Sequence, residues 1–403
     1  MPFSRRTLLR AGGSGPEGGP PVPRVLLRSR GLEPYWPEEL DASMFQVADA
    51  GEIRIDQNEN PVGPGPKAVE ALLGGVKYAG RYPTNSRPAA KDATAELCRM
   101  FGIKPEHVVL GAGSSEILRN VERAYVTATR PYVAASPSYD KVERFAAQLG
   151  APLRLVPLDR AGQFDFKGIK AAARGAGLVY ICSPNNPTAT IATGDEIADL
   201  VAEVGKVSPD TGILIDEAYH DYVTDPAYRS AIPLAVRHPH VIVARTMSKA
   251  HGMAGLRLGY AIAQPKTIER FSPLAITFNT NVIVVAASVA SLRDPAYIER
   301  ERTRNSAVRE LTMGFFKRAG YSPFESHGNF MFVDVRQPTR AFREECARLK
   351  VLVGRPFPPL DKTHVRISFG TMEEMKRAIV VFGKVLGVAA PTASVVGRSQ
   401  AGA

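Results

Sequence analysis

The sequence predicts an α/β protein, with a three-layer αβα large domain around a mainly parallel sheet and a smaller α+β domain after it. Three observations carry this expectation. Short, continuously apolar runs recur between residues 107 and 263, amphipathic stretches separate them, and the pattern changes near residue 295. Continuous apolar runs suit strands buried on both faces, as in parallel sheets whose crossovers are helices.

The expected strands of the large domain are HVVL (107–110), YVAA (132–135), LRLVPL (153–158), LVYIC (178–182), GILID (212–216), VIVAR (241–245) and LGYAIA (258–263). Helical patterns such as SEILRNVERAYVTA (115–128) lie between them. Beyond residue 295 a charged helical stretch (297–318) precedes NFMFVDV (329–335), a helix (338–349), VLVGRP (351–356), HVRISFG (364–370) and a last helix (371–386). The expected division is therefore a large domain over 62–294 and a small one over 295–390. An N-terminal arm (31–61) is expected to pack on the small domain. Residues 1–30 and the tail 391–403 read as disordered.

Composition narrows the function. The chain has 403 residues, 44% hydrophobic and 23% charged, which is ordinary for a globular protein. No apolar run reaches the roughly 18 residues of a membrane span. The three cysteines are scattered and the seven histidines show no ligand spacing, so no disulfide framework and no metal site is expected. The formal charge of +11 is concentrated at the start, where six arginines face Glu17 alone across residues 1–30. No basic stripe interleaved with aromatics follows, so nucleic acid is not expected, and internal arginines suit small anionic substrates. SRRTLLR (4–10) resembles a twin-arginine export signal. The next thirteen residues include nine Gly or Pro, which cannot form the apolar segment such a signal needs. A cytoplasmic location is expected, with export as the alternative.

In parallel sheets, ligands gather at the C-terminal strand ends. Four predicted strand ends carry polar residues: Gly111-Ala-Gly-Ser-Ser-Glu116, Ser183-Pro-Asn-Asn-Pro-Thr188, Asp216-Glu-Ala-Tyr219 and Thr246-Met-Ser-Lys249. Together they argue for one composite pocket. GAGSSE offers backbone N–H groups and hydroxyls at a helix start, an anion cradle that Ser248 and Arg257 could complete. Asp216 is either a cap or salt-bridge partner, or a carboxylate aimed at a protonated ring nitrogen. A lysine after a strand is commonly a solvated surface residue. Held in a dry pocket near other cations, Lys249 would instead be a nucleophile toward carbonyls. Pyridoxal phosphate matches the set: an amine for its aldehyde, a cradle for its phosphate and an acid for its ring nitrogen.

NENPVGPGP (58–66), RYP (81–83), GAGSSE, SPSYD (136–140), SPNNPT, DEAY, TMSKAHGMAGLRLGY (246–260) and VRISFGT (365–371) resemble the fold-type I, class I/II aminotransferases across about residues 50–385. Their order and spacing are similar to the histidinol-phosphate aminotransferase branch. The resemblance implies transamination between an L-amino acid, histidinol phosphate first, and 2-oxoglutarate. Lys249 would form the internal aldimine and then move the substrate proton. Asp216 would hold the pyridine nitrogen protonated. Tyr219 and Asn186 would bond the phenolic oxygen, and Tyr139 would stack on the ring. Gly113, Ser114, Ser115, Thr246, Ser248 and Arg257 would surround the phosphate, joined by Tyr82 from the partner subunit of a homodimer with a shared active site. Arg366 would clamp the substrate carboxylate, with Asn60, Asn329 and Arg355 on the substrate side.

Several positions depart from the family pattern. Ala189 replaces a glycine, compatible with a turn at negative φ. Ser115 stands for an acid, and Val62 for a tyrosine. His251 occupies a common aromatic position, where it either contacts substrate or sits on a helix surface. The alternatives are an aminotransferase for an aromatic or basic amino acid, a decarboxylase or lyase on the same scaffold, and a non-catalytic regulator. The last would need a DNA-binding domain, for which residues 1–50 are too short.

Overall fold

The computed structural model describes residues 51–82 and 88–388. The 1–30 leader, most of the 31–61 arm and the 391–403 tail lie outside them. Eleven strands occur among the described residues: β1 (Ile53–Ile55), β2 (Val108–Gly111), β3 (Tyr132–Ser136), β4 (Leu153–Pro157), β5 (Leu178–Cys182), β6 (Gly212–Asp216), β7 (Val241–Thr246), β8 (Gly259–Ala263), β9 (Phe330–Asp334), β10 (Val351–Val353) and β11 (His364–Ser368).

Seven of them make one sheet in the order β2-β8-β7-β6-β5-β3-β4. The β3–β4, β3–β5, β5–β6 and β6–β7 pairs are parallel, while β8 runs against both β2 and β7. Side chains alternate between the two faces, so each strand feeds two cores. Val179, Ile181, Ile213, Ile215, Val241 and Val243 pack on one side. Tyr180, Cys182, Leu214, Ile242 and Ala244 pack on the other. Both faces are thus covered, which explains why these strands are apolar without interruption.

A further core joins Ile53 and Ile55 to side chains of β9, β10, β11 and the helices Pro295–Arg318, Thr339–Arg348 and Met372–Leu386. Here β1 pairs parallel with β10, Ile53 opposite Val351, and β11 pairs antiparallel with β9. The strand at 53–55 has no counterpart among the expected strands. Three residues are too few to show a period, and the pairing joins chain segments nearly 300 positions apart.

Helix starts follow from local chemistry. Thr193 and Glu196 form a reciprocal capping box at helix Gly194–Val207, and Thr371 and Glu374 repeat it just after β11. Helix Ser114–Tyr125 begins instead on Gly113, at φ +74°. No helix among the described residues is long and apolar enough to cross a membrane.

Candidate active site

The C-terminal ends of β2, β5, β6 and β7 open onto one cleft of about 430 Å³. Ser114, Ser115, Asn186, Asp216, Thr246, Ser248 and Lys249 line it, so all four polar strand ends share one space. Asp56, Gln57, Glu59 and Arg366 form the facing wall.

Asp216 ends β6, buried. Its Oδ2 accepts the Tyr180 hydroxyl at 2.9 Å and its Oδ1 the Ala218 N–H at 3.1 Å. These are neutral donors. Burial outweighs them and pushes the carboxyl up to about 6. Lys249 donates from Nζ to the carbonyls of Asn58 (3.0 Å) and Gln57 (3.3 Å), 5.5 Å from the Tyr219 ring centre. Burial, with Arg366 nearby, brings its amine down to about 8. A substantial neutral fraction therefore exists near physiological pH, which a nucleophile requires.

The Tyr219 hydroxyl oxygen accepts from Asn58 Nδ2 (3.1 Å) and Asn186 Nδ2 (3.3 Å). Asn186 Oδ1 in turn accepts from Arg366 Nη1 at 2.9 Å. Arg366 Nη2 donates to the Asp56 carbonyl, its Nε has no partner among the described residues, and burial brings the guanidinium down to about 10. A buried guanidinium with a free donor beside a cleft can still take a ligand oxygen.

At the opposite end, Arg257 adopts φ +60° and donates from Nη1 to Ser248 Oγ (3.1 Å) and the Ala254 carbonyl (2.8 Å). Thr246 Oγ1 donates to the same Ser248 oxygen at 2.9 Å. The guanidinium lies against Gly113, where an added Cβ would meet Nη2 at 2.2 Å. Only glycine permits both this approach and the positive φ. The first N–H groups of helix Ser114–Tyr125 have no helical acceptor, so they and Arg257 face the cleft as one positive patch. The lining includes the cations Lys141, Lys249, Arg257, Arg355 and Arg366 against the acids Asp56, Glu59 and Asp216, which favours an anionic ligand.

Residues 50–382 match the family described as aminotransferase class I and II. The chain belongs to that family. Among its relatives, histidinol-phosphate aminotransferase 1 of Nitrosococcus oceani is 33% identical over 363 residues, covering 89% of this chain and 95% of that protein. The histidinol-phosphate aminotransferase of Symbiobacterium thermophilum is 32% identical over 362 residues, covering 89% and 97%. The solved histidinol-phosphate aminotransferase of Sinorhizobium meliloti, in complex with pyridoxal-5′-phosphate, superposes with a TM-score of 0.77 at 28% identity, over 83% of this chain and 91% of that one.

In this aminotransferase, Tyr139 and Arg355 also line the cleft. Arg355 is ion-paired with Asp140 and lies 4.1 Å from the Phe357 ring centre. Asn60 and Asn329 do not line it. Asn60 is occupied by the Ala250 carbonyl, the Tyr297 hydroxyl and the Val62 N–H. Asn329 Nδ2 holds the Glu59 carbonyl. Both brace the loop behind the wall. Tyr82 is 72% exposed and stacks on Phe278 beside a separate groove, away from the cleft of its own chain.

Two departures resolve differently from expectation. Ala189 takes φ +64°, not a negative φ, and is fully buried with Tyr219 and Phe330 in one apolar cluster, so packing holds a conformation usually left to glycine. His251 is not a surface residue, and it does not line the cleft. It is buried, with Nδ1 at 2.7 Å from Ser291 Oγ and Nε2 at 3.9 Å from Asp221.

Tyr180, Asn58 and Ser368 join the site without having been expected from the sequence. Tyr180 left a signal: a tyrosine in a fully buried strand needs a partner for its hydroxyl, and Asp216 ends the neighbouring strand. Asn58 left little. It takes φ +54°, its N–H donates to Ser368 Oγ at 2.8 Å, and its Oδ1 accepts the Ser368 hydroxyl at 2.6 Å.

Proposed function

We propose that this chain is a pyridoxal-phosphate-dependent aminotransferase exchanging an amino group between histidinol phosphate and 2-oxoglutarate. The observation that carries the cofactor is the pairing of a partly neutral buried amine, Lys249, with Asp216, a buried acid bound only by neutral donors, on one anion-seeking cleft. The residues present fit the group. Gly113 leaves room for Arg257, and helix N–H groups, Thr246 and Ser248 complete a phosphate cradle. Tyr139 offers a face for the ring. Tyr219 and Asn186 stand as hydrogen-bond partners for its phenolic oxygen. When bound, the cofactor supplies an electron sink for the substrate Cα–H bond.

The chain's own residues do the rest. Lys249 would hold the cofactor through its amine, and that amine would move the proton at the substrate Cα. Asp216 keeps the ring nitrogen protonated, a task that its burial beside a cationic ring suits. Arg366 takes the carboxylate of 2-oxoglutarate through the guanidinium edge that has spare capacity. Arg355, at the cleft, is the candidate for a distal anionic group. Tyr82, exposed outside its own cleft, reaches the phosphate of a second copy in a homodimer. The division into a 62–294 large domain and a 295–390 small domain, with the arm on the latter, belongs to the same reading. A cytoplasmic location fits a biosynthetic enzyme, and cell fractionation tests it.

The names of the relatives support histidinol phosphate over aromatic or basic donors. The test is a panel of half-reactions. Holoenzyme is mixed with each amino donor without keto acid, and the cofactor absorbance bands are followed. Histidinol phosphate should give the highest rate per unit concentration. A higher rate with an aromatic donor would overturn the substrate. Carbon dioxide release without a pyridoxamine form would replace aminotransfer by decarboxylation.

A further inference from the structure

Outside the cleft, one group of side chains has no role in the mechanism above. Asp225 follows the turn after β6, and Glu325 and His327 belong to the segment leading into β9. One donor atom from each lies within 4.8 Å of the others. His327 is only 7% exposed, yet its imidazole makes no hydrogen bond among the described residues. Its Nε2 faces Glu325 Oε1 at 3.8 Å, too far for a hydrogen bond. A mostly buried imidazole without a hydrogen-bond partner is open to take a ligand from the solvent side.

We propose that Asp225, Glu325 and His327 bind a divalent transition-metal ion of the zinc class, with water completing the coordination. One imidazole and two carboxylates are a ligand set such ions accept, and together they supply two negative charges for a dication. Metal–ligand distances near 2.0–2.2 Å place donor atoms roughly 3–3.5 Å apart. The required closure is small, and Glu325 can make it, because its side chain is 71% exposed and holds no hydrogen bond among the described residues. Asp225 accepts the Ala227 N–H through Oδ1 at 2.8 Å, which fixes the carboxylate while leaving Oδ2 free. Arg309, which donates to the Ser326 carbonyl at 3.0 Å, anchors the segment from behind.

The ion would be a cross-link, not a reactant. It would tie the chain after β6 to a segment whose His327 N–H donates to the Ala189 carbonyl at 2.9 Å and whose Asn329 holds Glu59. Glu59 lines the cleft, and Ala189 packs in one apolar cluster with Tyr219, which also lines it. The sequence showed no ligand spacing because the ligands come from distant segments.

The test is calorimetric titration of chelator-treated holoenzyme with zinc chloride, for the wild type, His327→Gln and Glu325→Gln. The wild type should bind one zinc ion per chain at this site and show a melting temperature that rises with free zinc. Each variant should lose that ion while retaining the cofactor absorbance. Glu325 is exposed, so its variant tests the site even if His327→Gln fails to fold. No stoichiometric zinc in the wild type, or binding unchanged in either folded variant, overturns the proposal.

Discussion

Asp216 and Glu217 are neighbours in the chain and both are buried, but they face opposite environments. Glu217 is saturated. It accepts Arg245 Nε (2.9 Å) and Nη2 (2.8 Å), the Ser230 hydroxyl (2.9 Å) and the Ala231 N–H (2.6 Å). Asp216 has two neutral donors, no ion pair among the described residues and an open cleft before it. The same contrast separates Arg245, closed on Glu217, from Arg366, which keeps a donor free. Buried charge that is fully paired builds the fold, whereas buried charge left incomplete at a cleft is available for a ligand.

Substitutions can break this contrast. Glu217→Ala strands the Arg245 guanidinium and should cost about 3–5 kcal/mol in denaturant unfolding, while the folded fraction keeps its turnover. Asp216→Asn should do the reverse. Turnover should fall roughly 10²–10³-fold, as for removal of one preorganised electrostatic group, with the unfolding midpoint unchanged or raised because a costly buried charge is gone. Equal losses of stability in the two variants would dissolve the distinction. Arg366→Lys keeps the charge but loses the planar fork, so kcat/KM for 2-oxoglutarate should fall by roughly ten- to a hundredfold, mostly through KM. His251→Asn sharpens the rule from the satisfied side, with about 1–2 kcal/mol of stability lost and steady-state kinetics unchanged.

The amine adds a pH test. Below about 8 the Lys249 amine is protonated and not nucleophilic, and above it the neutral form dominates. The rate at which apoenzyme takes up pyridoxal phosphate should therefore rise through about pH 8 and level off above it. A rise only near 10 would mean that Lys249 is as solvated as an ordinary lysine.

The strand-end half of the site was legible because its chemistry is local. Each payload directly follows an apolar run, and strand order alone brings Ser114, Asn186, Asp216 and Lys249 together. The facing wall was not legible. Asn58 and Ser368 meet across 310 positions, and the Gln57 and Asn58 carbonyls that hold Lys249 belong to backbone, which carries no residue signature. His251 was misread because its partners, Ser291 and Asp221, arrive from other elements. Ala189 was misread because its backbone angle is set by the packing around it, not by its own preference.

The central claim is that Lys249 is the residue this cleft exists to hold. Borohydride reduction of the holoenzyme, followed by proteolysis and mass mapping, tests it most directly. The reduced pyridoxyl group should be found on the peptide containing Lys249 and should be absent from the Lys249→Ala protein. A label on another lysine, or full turnover without one on Lys249, would contradict the account.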